Sequence, residues 1–79
     1  MNVRCPCCNF RTLRERGGFE ICPVCDWEDD GQDDTDADKV RGGPNQDLSL
    51  TKARENFERC GACDERSIGR VRAAREEEC

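Results

Sequence analysis

The chain has 79 residues, of which 34% are hydrophobic and 39% charged, with a formal net charge of −5. Eight of the hydrophobic residues are cysteines, and three Phe, one Trp and a few Leu, Ile and Val make up most of the rest. Chains of this size bury only about 60% of the surface they expose when unfolded and usually need a staple. The arithmetic excludes membrane spans, large catalytic scaffolds and doubly wound sheets. It leaves disorder, which the charge would permit, or a fold held by cysteines.

In chain order, the first element is a pair of cysteine turns. Cys5 and Cys8 form one C-x2-C and Cys22 and Cys25 a second, each opening Cys-Pro. A two-residue gap lets a tight turn point both thiolates at one tetrahedral metal about 2.3 Å away, and two such turns close a four-cysteine site. The start of the chain has no apolar targeting segment, so the expected setting is cytoplasmic. There, clustered cysteines serve as metal ligands more often than as disulfides. Between the turns, Phe10–Leu13 and Phe19–Ile21 are rich in strand formers, and Gly17-Gly18 suits a hairpin joining them. Residues 1–27 therefore read as a zinc ribbon, with Cys5, Cys8, Cys22 and Cys25 as ligands of one Zn2+. Iron is a substitute that the same four thiolates would accept. Trp27 is expected to pack over the site.

Residues 28–46 are expected to be an acidic, solvated loop. From Asp26 to Asp38 there are eight acids and no base, and repulsion between them disfavours compact structure. The Asp34, Asp36, Asp38 spacing is like the start of a calcium loop, but Lys39 and Asn45 stand where that loop needs Gly and Glu. Gly42-Gly43-Pro44-Asn45 closes the stretch as a turn.

Residues 47–75 read as helical. Ser49 is a good N-cap, Leu48 can staple against Ala53, and Gly61 is placed to end the helix. Leu50, Ala53, Phe57 and Cys60 share one face, leaving Lys52, Arg54, Glu55, Glu58 and Arg59 in water. A second helix is expected from about Asp64 to Arg75 with Ile68 and Val71 inward, although Gly69 weakens it. The tail, 76–79, is expected to fray. The chain thus reads as a single domain of small, metal-stabilised α+β class: a rubredoxin-like zinc-ribbon hairpin with two cysteine knuckles, followed by one or two C-terminal α-helices.

Four cysteines are left over. Cys7 sits between ligands and reads as buried and inert. Cys60-Gly61-Ala62-Cys63 is superficially like a redox pair, but that chemistry needs a thiolate at a helix start. Here Cys60 falls at a helix end, where the dipole disfavours ionisation. Cys79 is a lone thiol. No histidine is present, so the common general base is absent and no enzyme activity is expected. Arg54, Arg59, Arg66, Arg70, Arg72 and Arg75 could grip phosphates, which makes a nucleic-acid-binding regulator the runner-up reading. Neutralisation of the acidic loop by those arginines is preferred. A thiol-redox or metal-sensing protein is the second alternative.

The string Cys5-Pro6-Cys7-Cys8, then Phe19-Glu20-Ile21-Cys22-Pro23-Val24-Cys25-Asp26-Trp27-Glu28-Asp29-Asp30, resembles the cysteine-rich CPCC family of small bacterial proteins. The likeness continues through Gly42–Asn45, Leu48–Leu50, Ala53–Phe57 and Gly61–Glu65. Cys60 departs from it, since an aromatic residue is usual there. The resemblance implies a zinc ribbon and brings no activity with it. It also implies a surface beside the metal made by Trp27–Asp30 with Asn56 and Phe57. On that basis the expected role is a structural zinc protein acting as a non-enzymatic interaction module for another protein, with Trp27 and the acidic loop as contacts.

Overall fold

No segment of this chain is apolar enough to bury a face by itself, so turns must carry its few apolar side chains to one place. A computed structural model describes residues 2–79. It contains two short strands, β1 (Val3–Arg4) and β2 (Arg11–Leu13), and one helix, α1 (Leu50–Cys60). Single 3-10 turns lie at Gly43–Asn45, Glu65–Arg70 and Glu76–Glu78. β1 and β2 pair antiparallel around the first cysteine turn, Val3 opposite Leu13 and Arg4 opposite Arg11.

That pairing corrects the expected hairpin across Gly17-Gly18. β2 folds back on the residues before the first knuckle, and Phe19–Ile21 instead pairs across the second one. There Phe19 N donates to Asp29 O at 2.9 Å, Asp29 N to Glu20 O at 2.9 Å, and Ile21 bridges Glu28. The physical reason is that a C-x2-C turn is itself a hairpin tip, so the strands flanking each knuckle satisfy one another. The linker between them is closed by a side chain, with Glu20 accepting from the amides of Arg14 at 3.1 Å and Glu15 at 3.2 Å.

α1 forms where its end signals stand. Ser49 Oγ accepts from Lys52 N at 3.0 Å. Gly61, at φ 79°, closes the other end by donating to Phe57 O. Leu50 and Ala53 are fully buried, and Phe57 meets Phe10 edge-on with centroids 6.4 Å apart. Arg54, expected in water, instead lies half-buried. The core joins Leu13, Val24, Trp27, Leu50 and Ala53 to the cysteine turns. Trp27 is wholly buried and its indole Nε1 has no hydrogen-bond partner, so its side chain is held by packing alone.

Three other expectations change. The second α-helix is absent: Asp64 caps a six-residue 3-10 turn and the chain runs extended from Val71. Ser67 is buried there and Ile68 is 49% exposed. A continuous helix would withdraw the amide of Arg72, which donates to Pro23 O at 3.2 Å. The tail is anchored, because Glu78 is buried and receives the Arg72 guanidinium at 2.8 and 2.9 Å and Arg75 N at 2.7 Å.

The acidic stretch is only partly solvated. Asp29 and Gln32 have no exposed surface. Asp29 accepts from Gly17 N at 2.7 Å, Gly31 N at 3.1 Å and Arg16 Nε at 2.9 Å. Gln32 Nε2 donates to Asp36 O at 3.0 Å and Lys39 O at 2.7 Å. Arg16, Arg41 and Arg54 are threaded among the carboxylates, which offsets the repulsion that the sequence pattern emphasises. Of these only Arg54 belongs to the C-terminal arginine set.

Candidate metal centre

The two knuckles are built alike. In the first, Asn9 N donates to Cys5 O and Cys5 N to Phe10 O, both at 2.8 Å. In the second, Asp26 N donates to Cys22 O at 2.8 Å and Cys22 N to Trp27 O at 2.9 Å. Each chain reversal passes through a left-handed residue just after the second cysteine, Asn9 at φ 68° and Asp26 at φ 72°. Asn and Asp tolerate that conformation because their short polar side chains bond locally. Sequence reasoning passed over both, although the signal was there: an Asn or Asp directly follows each C-x2-C.

The turns bring Cys5, Cys8, Cys22 and Cys25 together, all buried, with their sulfurs within 4.8 Å of one another. Among the described residues this is the group of side chains that could hold a metal ion. Cys5–Cys25 and Cys8–Cys22 sulfurs lie 3.7 Å apart. Four sulfurs at about 2.3 Å from a tetrahedral centre have edges of about 3.8 Å, so the donor set fits a single ion. The electrostatics agree. Thiol hydrogen bonds from Cys25, Cys5 and Cys8 hold Cys22 far below the usual thiol range. Cys8 and Cys25 are pushed up, first by their hydrogen bond with Cys22. Cys5 is lowered as well, so two of the sulfurs ionise readily and two resist it, and a cation at the centre would let the resisting pair ionise too.

Around the sulfurs, the Thr12 hydroxyl of β2 lies 2.9 Å from Cys22 Sγ, and Trp27 N donates to Cys25 Sγ at 3.5 Å. The C-terminal half closes over the knuckles through their main-chain carbonyls. Cys63 N donates to Cys25 O at 2.7 Å and Arg72 N to Pro23 O at 3.2 Å, while Arg54 Nε of α1 reaches Pro6 O at 2.8 Å. Asn45, placed in a turn from sequence, is buried. Its side-chain amide pairs with the main chain of Glu28 like a neighbouring strand, at 3.2 and 2.7 Å.

The remaining cysteines are free thiols. Cys63 is buried, 3.9 Å from Ser67 Oγ, and burial pushes its thiol up to about 12. Cys7 is buried, Cys60 half-buried and Cys79 exposed. The carboxylates of Asp34, Asp36 and Asp38 are turned to separate partners, Arg54, Asp33 N with Arg41, and Thr51.

A family model described as cysteine-rich CPCC matches residues 3–78, essentially the whole chain. The chain belongs to that family. The CPCC match extends beyond the cysteine turns to the anchored tail, so both halves of the structure fall within it. No curated protein and no solved structure matches. Among the described residues of this CPCC chain, no helix is long and apolar enough to cross a membrane.

Proposed function

We propose that this CPCC protein binds one Zn2+ per chain through Cys5, Cys8, Cys22 and Cys25, in a ribbon-type centre that is structural. It acts in the cytoplasm as a non-enzymatic module that docks another protein. The observation that carries the metal reading is the group of four buried cysteine sulfurs within 4.8 Å of one another. Four protein ligands leave no open position for substrate, which is the signature of a structural site. Elemental analysis should find one zinc per chain in a colourless protein. A red protein would mean iron instead, and absence of any metal would end the reading.

We place the docking face on exposed neighbours of Trp27 rather than on Trp27 itself. Trp27 and Asp29 are buried and cannot be contacts. Phe19 and Ile21, each 57% exposed, flank the same knuckle and take their place. The nucleic-acid alternative has less support, since Arg72 is locked onto Glu78 and Arg70 faces Asp26 at 3.7 Å. Redox use of Cys63 is disfavoured by its raised thiol. Capture from native lysate with wild-type protein, but not with a Phe19→Ser/Ile21→Ser variant, would support the docking reading. Equal capture by both would overturn that face.

A further inference from the structure

Beside the second knuckle is a polar cavity of about 160 Å3, between Asp26, the Gly43–Asn45 turn and the Glu65–Arg70 turn. Most of the groups that line it are spent on one another. Asn45 pairs with the main chain of Glu28. The Arg66 guanidinium donates to Gln46 Oε1 at 2.9 Å and to Asp64 Oδ2 at 2.6 Å, while Arg66 N donates to Asp64 Oδ1 at 3.0 Å. Gln46 is held there at φ 54° and ψ −118°, a backbone region that residues with side chains rarely occupy and that recurs at ligand sites.

Three groups are not spent. Ser67 is 7% exposed, yet the contact of its hydroxyl is to a sulfur, Cys63 Sγ at 3.9 Å. Asp26 and Arg70 face each other at 3.7 Å, with side chains 17% and 73% exposed. That is too far for a hydrogen bond. A buried hydroxyl and a largely buried carboxylate have lost solvation that a ligand can restore. All three groups line the same cavity.

We propose that this cavity binds a small α-amino acid as its zwitterion, the ammonium on the Asp26 carboxylate and the carboxylate shared by Arg70 and the Ser67 hydroxyl. The unspent charges select the class. An anion alone would sit beside Asp26 as a like charge, and a cation alone would do the same to Arg70. A ligand that carries both signs a few bonds apart gives each partner of the loose pair a charge-assisted hydrogen bond. At about 30 Å3 per water the space holds about five, which suits an amino acid of roughly six heavy atoms such as alanine. Pro44 and Leu48 complete the wall and match a methyl side chain. The site uses no metal ligand and neither Phe19 nor Ile21, so it is a function separate from the centre and from the docking face.

The test titrates the purified 79-residue chain with L-alanine and follows the main-chain amides of Asp26, Ser67 and Arg70 in proton–nitrogen spectra. These amides should shift and saturate below about 50 mM ligand. Alaninamide, which lacks the carboxylate, and N-acetylalanine, which lacks the ammonium, should each bind at least about tenfold more weakly. Asp26→Asn should weaken alanine binding by a similar factor. Asparagine tolerates the left-handed backbone at this position, φ 72°, so the knuckle stays closed. Arg70→Gln, at an exposed position, removes the other charge and should do the same. The absence of a saturable shift, an analogue that binds as well as alanine, or undiminished affinity in either folded variant would overturn the proposal.

Discussion

At the scale of single residues, the informative positions are polar side chains bound to main chain. Asp29 gathers two amides and a guanidinium in a site with no exposed surface. Asp29→Ala leaves those donors without an acceptor and Arg16 without its partner, which should cost about 3 kcal/mol. Denaturant unfolding of metal-loaded protein measures it, and a loss within about 0.5 kcal/mol, typical of a surface change, would contradict the role. Glu78 makes a different prediction. Its carboxyl is held below the ordinary 4.5, at about 2, by the Arg72 guanidinium and the Arg75 amide. A lowered folded-state value means that the contact contributes fully above pH 4.5 and is lost as pH falls through about 2. A carboxyl carbon titration should therefore have its midpoint near 2. A midpoint near 4.5 would mean that the tail is not anchored.

At the scale of elements, what depends on local spacing was readable and what depends on distant partners was not. The cysteine turns, the Ser49 cap and the Gly61 stop are short-range patterns, and each stands where its residues place it. Ser49→Ala removes the oxygen that Lys52 N donates to, and should lower stability by about 1 kcal/mol with α1 otherwise intact. Thermal unfolding followed by helical circular dichroism tests this, with an unchanged midpoint as the contrary result. The partner of β2 was misassigned because Gly17-Gly18 is a plausible turn, while the knuckle that brings β1 to β2 was read only as a ligand site. The Asp64–Arg75 stretch has helix-forming residues and was expected to be a helix. Its extended course is set by an acceptor on Pro23, which no local pattern announces. Asp29 and Asn45 were hidden for the same reason: each looks like ordinary loop composition until its distant amide partners are known.

At the scale of the whole molecule, the buried hydrophobic residues among those described number thirteen, and six are cysteines. A core so composed cannot offset the entropy of ordering the chain. A structural zinc contributes apparent free energy of about 10–16 kcal/mol in comparable peptides. Removing the metal with a strong chelator should therefore abolish the fold rather than loosen it. Amide dispersion in a proton–nitrogen spectrum should collapse across α1 as well as the knuckles, and readdition of zinc should restore it. Survival of the α1 signals without metal would show that the helix has support of its own.

The acceptors on which the C-terminal half docks have a consequence for how the sequence can vary. Pro23 O and Cys25 O belong to the backbone, and so do the Arg72 and Cys63 amides that reach them. None of these bonds uses a side chain, so substitutions at a position such as 71 can leave the seam closed, while Val24 is held by the core and Arg72 by its pairing with Glu78. The contact to Pro6 O is made instead by the Arg54 side chain, and a change there removes it. Mutational drift should thus be tolerated along the seam over the second knuckle and be restricted at Arg54, although both segments hold the same centre.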